Sequence, residues 1–295
     1  MGQALAAQHP IVRDTFAEAD AALGEPLSQL CFEGPEDRLV LTENTQPAIL
    51  TTSVAIYRLL VSKGWAPDFY AGHSLGEYSA HVAAGTLSFA DAVRIVRHRG
   101  RYMQEAVPVG TGAMAAILGL DADQVAAACE EAAQGECVAP ANLNAPGQVV
   151  IAGTAAAVGR AGVAAKARGA KRVIPLAVSA PFHCALMKPA EARLAPELRA
   201  LVTQTPRQPI VANVDAELKR DGSAAIDALI RQVSGAVRWE DVVRRLASEG
   251  VRTYVEVGPG TVLTGLVRKI DREARAYAVE DDKGVQALEE LFAQR

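Results

Sequence analysis

Gly72-His73-Ser74-Leu75-Gly76, a G-x-S-x-G run, constrains this chain more than any other segment. The motif does chemistry only where a strand turns sharply into a helix, so that the serine projects from a sheet edge and the amide of the next residue faces it. The flanks agree with that demand. Phe69-Tyr70-Ala71 predicts a short strand, and the residues after Gly76 predict a helix that stops near Gly85. A bend this tight is expected to need small residues two before and two after the serine. The alternative is a glycine-rich strand–helix loop carrying an inert serine.

The rest of the chain predicts an α/β protein. Helical spacing marks Thr15 to Leu23 and Gln46 to Val61, with Gly24 and Gly64 as stops. Ser88 reads as an N-cap with Asp91 three positions on, opening a helix that runs to about Val107. From Val109 the pattern changes. Strands are predicted at Met114 to Leu118, Val138 to Leu143, Gln148 to Ala152 and Arg172 to Leu176, with helices at Ala122 to Ala133 and Ala155 to Arg168. That β-α-β-β-α-β order is ferredoxin-like. Residues 109–177 are therefore expected to form a small domain inserted into a catalytic domain made of 1–108 and 178–295. Further strands at Pro209 to Asn213 and Thr253 to Val257, the latter ending in the Gly258-Pro259-Gly260 turn before a final helix, predict a mainly parallel sheet there.

Composition narrows the function. Lys and Arg number 30 against 34 Asp and Glu, a net charge of -4, which argues against nucleic-acid or anionic-membrane partners. No apolar run approaches the roughly 20 residues of a membrane span, and the N-terminus lacks a signal-peptide pattern, so a cytoplasmic location is expected. Cys31, Cys129, Cys137 and Cys184 form no C-x-x-C pair, which speaks against zinc or redox chemistry. Gly110-Thr111-Gly112 lacks the third glycine of a dinucleotide fingerprint and no Walker-type loop is present, so no cofactor is expected.

A serine hydroxyl is a weak nucleophile and needs a base. His73 adjoins Ser74 and should point away from it, packing or bonding under the bend. His81 and His98 fall on helices as surface or packing residues, and His9 has no motif around it. His183, in Ser179-Ala180-Pro181-Phe182-His183, lies on a loop able to reach over the elbow and is the favoured base, although spacing alone does not establish proximity. In the helix after the elbow, Phe89, Ala92, Val96 and Met103 mark the inward face, and Arg99 falls on the same stripe. A buried guanidinium needs an anion. A structural ion pair is the commoner arrangement; a bidentate clamp on a substrate carboxylate is the functional one.

Taken together, Gly72 through Ala80, Arg99-Gly100 through Met103-Gln104-Glu105, Asn144-Ala145-Pro146-Gly147-Gln148, Val178-Ser179 through His183 and Glu256-Val257-Gly258-Pro259-Gly260 closely resemble the malonyl-CoA:acyl carrier protein transacylases of type II fatty acid synthesis. The likeness runs in order from about Pro10 to the C-terminal helix. It implies an α/β-hydrolase-like large domain with a ferredoxin-like small domain, malonyl-CoA and acyl carrier protein as partners, and a monomeric enzyme. By position Ser74 matches the nucleophile, His183 the base and Arg99 the arginine that holds the malonyl carboxylate. Gln232 matches a residue whose backbone carbonyl orients the histidine, and the Leu75 amide an oxyanion donor. Phe182 resembles the malonyl-selecting form of its loop. Lys171, Arg172 and Lys188 are conceivable contacts for an acidic carrier protein, but ordinary solvated side chains is the simpler expectation for all three.

One departure stands out. The family begins with an apolar strand and a Gly-Gln-Gly-Ser-Gln loop whose glutamine supplies an oxyanion donor, whereas Met1-Gly2-Gln3 corresponds to a point just past it. The expectation is a natural start upstream of Met1, to be checked by an in-frame upstream segment coding for that strand and loop. Removing one such donor costs about 10²–10³ in rate. Two other functions compete: a serine esterase or thioesterase on the same fold, indifferent to a carboxylate on the acyl group, and an inactive carrier-protein-binding module.

Overall fold

The computed structural model describes residues 1–293; positions 294 and 295, the end of the expected catalytic domain, lie outside the described residues. The chain opens with helices α1 (Gln3–Gln8), α2 (Pro10–Leu23), α3 (Leu27–Glu33), α4 (Glu36–Leu39), α5 (Thr42–Ser62), α6 (Leu75–Ala84) and α7 (Phe89–Glu105). Next come β1 (Gly112–Leu118), α8 (Ala122–Ala133), β2 (Val138–Ala145), β3 (Gln148–Thr154), α9 (Ala155–Ala167) and β4 (Arg172–Pro175). The remainder holds α10 (Lys188–Ala200), β5 (Ile210–Val211), β6 (Leu218–Lys219), α11 (Gly222–Gln232), α12 (Trp239–Ser248), β7 (Thr253–Val257), α13 (Val262–Ile270), β8 (Arg275–Val279) and α14 (Asp282–Ala293). Among the described residues no helix is long and apolar enough to cross a membrane.

The largest sheet is antiparallel, in the order β2-β3-β1-β4. Helices α8 and α9 cover one face of it, over a core of Ile117, Ile151, Val125, Val149 and small alanines. A capping box starts α8, with Asp121 accepting from the Gln124 amide at 2.8 Å and Gln124 reaching back at 3.2 Å, an arrangement that stabilises a helix start by about 1 kcal/mol.

Elsewhere the pairing differs from expectation. Among the described residues, parallel pairing is confined to β7 with β8 and to two isolated bridges, Tyr70 with Ile210 and Asn142 with Val237. The expected strand at 69–71 is the Tyr70 bridge alone, and the one at 209–213 shrinks to β5. Pro209 brings no N–H to extend the ladder, and the backbone amide of Asn213 turns instead to the carboxylate of Glu77 at 3.0 Å. The end of the chain also holds more than one final helix: β8 and α14 follow α13.

Two contacts set up the site. Val237 bonds Ala141 and Leu143 of β2 at 2.9 Å each, tying the antiparallel sheet to the segment before α12. A Cβ on Gly100 of α7 would sit 2.6 Å from the backbone of Glu43 and Thr42. Only glycine lets α7 approach the start of α5 so closely, and the next turn of α5 carries Gln46.

Candidate active site

Ser74 sits at φ 53° and ψ -110° between the Tyr70 bridge and α6. Such a backbone costs a non-glycine residue about 1–3 kcal/mol and persists only where its surroundings enforce it. Here they do. Asn213 accepts from the Ser74 amide at 2.7 Å and donates to the Gly72 carbonyl at 2.7 Å, and Gln232 donates to the Ser74 carbonyl at 2.7 Å. The expectation about small neighbours holds on one side only. A Cβ on Gly72 would lie 2.0 Å from the backbone of Gly76, whereas a Cβ on Gly76 would meet nothing within 4 Å. Gly72 must be small so that Gly76 can pass over it. Leu75 is the first residue of α6, which places its amide at the helix N-terminus, where partial positive charge favours an anion.

His183 reaches the elbow as its spacing allowed. Its Nε2 lies 2.7 Å from Ser74 Oγ, while Nδ1 donates to the carbonyls of Gln232 at 3.0 Å and Gly235 at 3.2 Å. Those two acceptors fix the tautomer and leave Nε2 free to accept the serine proton. The residue is 4% exposed. Burial, with the neighbouring Arg99 charge, pushes its pKa down to about 3, so the imidazole is neutral at ordinary pH. The loop holding it is pinned where Gln104 donates to the Ser179 carbonyl at 3.2 Å, and Phe182 packs half-buried against a cluster that holds Met114, Val150 and Cys184.

Arg99 is 2% exposed. Nη1 donates to Gln46 Oε1 at 2.7 Å, and Nη2 to Gln232 Oε1 at 2.9 Å and Ser74 Oγ at 3.2 Å. Its guanidinium also lies 5.3 Å from the Tyr78 ring centroid. Buried Nε has no partner, and among the described residues no carboxylate pairs with Arg99 directly. The structural ion pair that its stripe position suggested is not formed. A buried cation with an idle donor, touching the serine oxygen, can receive an anion.

Ser74, His183, Arg99 and Gln232 thus converge on one point, with Leu75 next to the serine in the chain. The structure adds Gln46, Glu77 and Asn213, which the spacing of the sequence did not single out. His73 bonds Asn144 at 2.9 Å and stacks edge-on against Trp239, away from the serine. His81 is fully buried; His98 pairs with Glu197, and His9 with Asp282. Lys188 pairs with Glu191, and Lys171 and Arg172 are exposed. Among the described residues no group of three or more His, Cys, Asp or Glu side chains is placed to hold a metal ion.

A serine at a strained bend before a helix, bonded to a neutral imidazole in an α/β fold with mixed sheets, is an arrangement that can form esters with acyl groups. The chain belongs to the acyl transferase domain family, whose model matches residues 1–284, and it is an acyltransferase. It is 54% identical to the malonyl CoA-acyl carrier protein transacylase of Escherichia coli K12, over 97% of this chain and 93% of the relative, and 48% identical to that of Bacillus subtilis, over 97% and 90%. An acyl carrier protein S-malonyltransferase from Vibrio cholerae superposes with a TM-score of 0.96 at 49% identity, covering 98% of this chain and 94% of the other. A malonyl-transacylase solved in complex with its type II PKS acyl-carrier protein does so with a TM-score of 0.95 at 51% identity, over 98% and 94%.

Proposed function

We infer that the protein transfers a malonyl group from malonyl-CoA to the thiol of an acyl carrier protein, through an ester on Ser74. The observation that carries the site assignment is the Ser74–His183 contact with Arg99 against the same oxygen. The Ser74 hydroxyl attacks the thioester carbonyl while His183 Nε2 takes its proton. The Leu75 amide, at the helix start, receives the developing oxyanion. His183 then passes the proton to the departing CoA sulfur, leaving malonyl-serine. In the second half the carrier thiol gives its proton to His183 as it attacks the ester, and Ser74 recovers it.

Arg99 supplies selectivity. A malonyl carboxylate stands only two carbons from the reacting carbonyl, and a guanidinium nitrogen 3.2 Å from Ser74 Oγ matches so short an acyl group. The idle Nε gains the partner it lacks only when a carboxylate arrives, so acyl groups without one forgo that gain.

The finer architecture supports the same assignment. Residues 109–177 act as a ferredoxin-like small domain, on the strength of the β-α-β-β-α-β order with antiparallel register. Residues 1–108 and 178–295 act as an α/β-hydrolase-like catalytic domain.

Mass spectrometry of the intact chain after malonyl-CoA provides the test. Native protein is expected to gain one malonyl group and Ser74→Ala none; labelling of the alanine variant would overturn the assignment.

A further inference from the structure

Beneath the elbow lies a carboxylate that the acyl-transfer steps do not use. Glu77, on the first turn of α6, is 0% exposed. Its Oε2 accepts from the Asn213 amide at 3.0 Å and from Gln232 Nε2 at 2.9 Å, while Oε1 is buried with no partner. The other end of the same Gln232 amide accepts from Arg99 Nη2 at 2.9 Å. One amide therefore stands between carboxylate and guanidinium, with its N–H toward the anion and its carbonyl toward the cation. Each bond polarises the next.

The charges around Glu77 are few. Arg99 faces it from α7, Asp215 acts on it from the turn after β5, and Tyr78 is its neighbour on α6. Burial pushes the carboxyl up to about 7, against the pull of Gln232, Asn213 and Arg99. Glu77 is the carboxylate in the Arg99 network, held one amide away.

We propose that Glu77 is the resident counter-charge of Arg99, and that a substrate carboxylate seated on Arg99 draws one proton from solvent onto Glu77. This rests on the carboxylate-binding role of Arg99 given above. Two anions around one buried cation repel each other strongly where water is excluded, and the one able to take a proton does so. Oε1 carries no hydrogen bond, so a proton placed there leaves both bonds into Oε2 intact. No covalent bond forms or breaks. When the malonyl group departs, the proton returns to solvent and Glu77 again balances Arg99. Glu77 touches no reacting atom and is a positioning residue.

The test is titration calorimetry on the Ser74→Ala chain, which binds without turnover, at pH 7.5 in buffers of different protonation enthalpy. Malonyl-CoA should take up a fraction of a proton that acetyl-CoA does not, and Glu77→Gln should abolish that uptake. Linkage then makes the preference for malonyl-CoA over acetyl-CoA weaken as pH rises above 7, by up to roughly tenfold per unit, a slope that Glu77→Gln should flatten. Infrared difference spectra need no Glu77 variant: a protonated-carboxyl C=O band should appear on binding malonyl-CoA but not acetyl-CoA. Tighter binding of malonyl-CoA with no extra proton and no such band would overturn the proposal, as would equal uptake in Glu77→Gln. Indifference between malonyl- and acetyl-CoA would instead sink the role of Arg99, and this proposal with it.

Discussion

The antiparallel sheet with α8 and α9 and the elbow with its surroundings are built on opposite principles. The first buries aliphatic side chains, Ile117, Ile151 and Val149 among them, under a regular ladder. The second buries Glu77, Arg99, His183, Asn213, Gln232 and Gln46, joined by hydrogen bonds that span as many as 158 residues of sequence. Dispersion and area hold the one; a closed set of donors and acceptors holds the other. The first should tolerate a lost atom gradually, whereas the second should fail at whichever bond is removed.

Arg99→Ala should separate the two most sharply. Removing one partner from a buried polar network costs about 2–5 kcal/mol, so kcat/KM for malonyl-CoA should fall by about one and a half to three and a half orders of magnitude while acetyl-CoA loses its disadvantage. Steady-state kinetics with both thioesters decides it. A variant that kept full malonyl activity would erase the distinction between the regions. Ile117→Ala strikes the other side. It should lower unfolding free energy by about 2–5 kcal/mol in denaturant titrations, yet leave the rate of Ser74 acylation per folded molecule unchanged.

A glycine pair sharpens the contrast within the elbow. Gly72→Ala should cost about 1–3 kcal/mol of stability through overpacking against Gly76 and slow acylation by displacing the bend. Gly76→Ala, free of contacts and inside a helix, should raise stability by up to about 1 kcal/mol. Thermal unfolding of the two variants side by side tests both.

A further contrast concerns pH. Burial pushes His81 down to about 3, and neither ring nitrogen has a partner. Between about 6.5 and 3 the unfolded chain binds a proton there that the folded chain refuses, so stability falls as pH drops through that window. The slope is about 1.4 kcal/mol per unit for one such group. His81→Leu should remove one group's share of it, measured by denaturant unfolding at pH 5 and 7.

How far each region was legible follows from the same contrast. The spacing predicted α8 to the residue, and the strands around it within a few, because local periodicity and capping carry them. It missed β8, where the alternating alanines of Arg275–Val279 give a weak strand signal. Ser74 and Arg99 were visible as a motif and as a charge on an apolar stripe. Gln46, Glu77 and Asn213 were not, since a buried polar side chain is explained only by partners far away in sequence. One clue existed: Glu77, Tyr78 and His81 share a face of α6 with apolar neighbours. The strand at 209–213 is shorter than its side-chain pattern predicts, because that pattern does not reveal that the Asn213 amide leaves the ladder for a carboxylate.

The paired carbonyls behind His183 bear on which attacker the ester will accept. Gln232 and Gly235 offer neutral oxygens where a carboxylate would offer a full charge, so an imidazolium there finds only modest support. A water molecule, with a pKa of about 15.7, needs its proton taken almost completely before it can attack. A sulfhydryl near 8.5 asks far less. Under the proposed mechanism such a base should take a thiol's proton far more readily than a free water's. The Ser74 hydroxyl is instead activated by its position, 2.7 Å from Nε2 and 3.2 Å from Arg99 Nη2. The ester should then outlast the wait for its acceptor to dock.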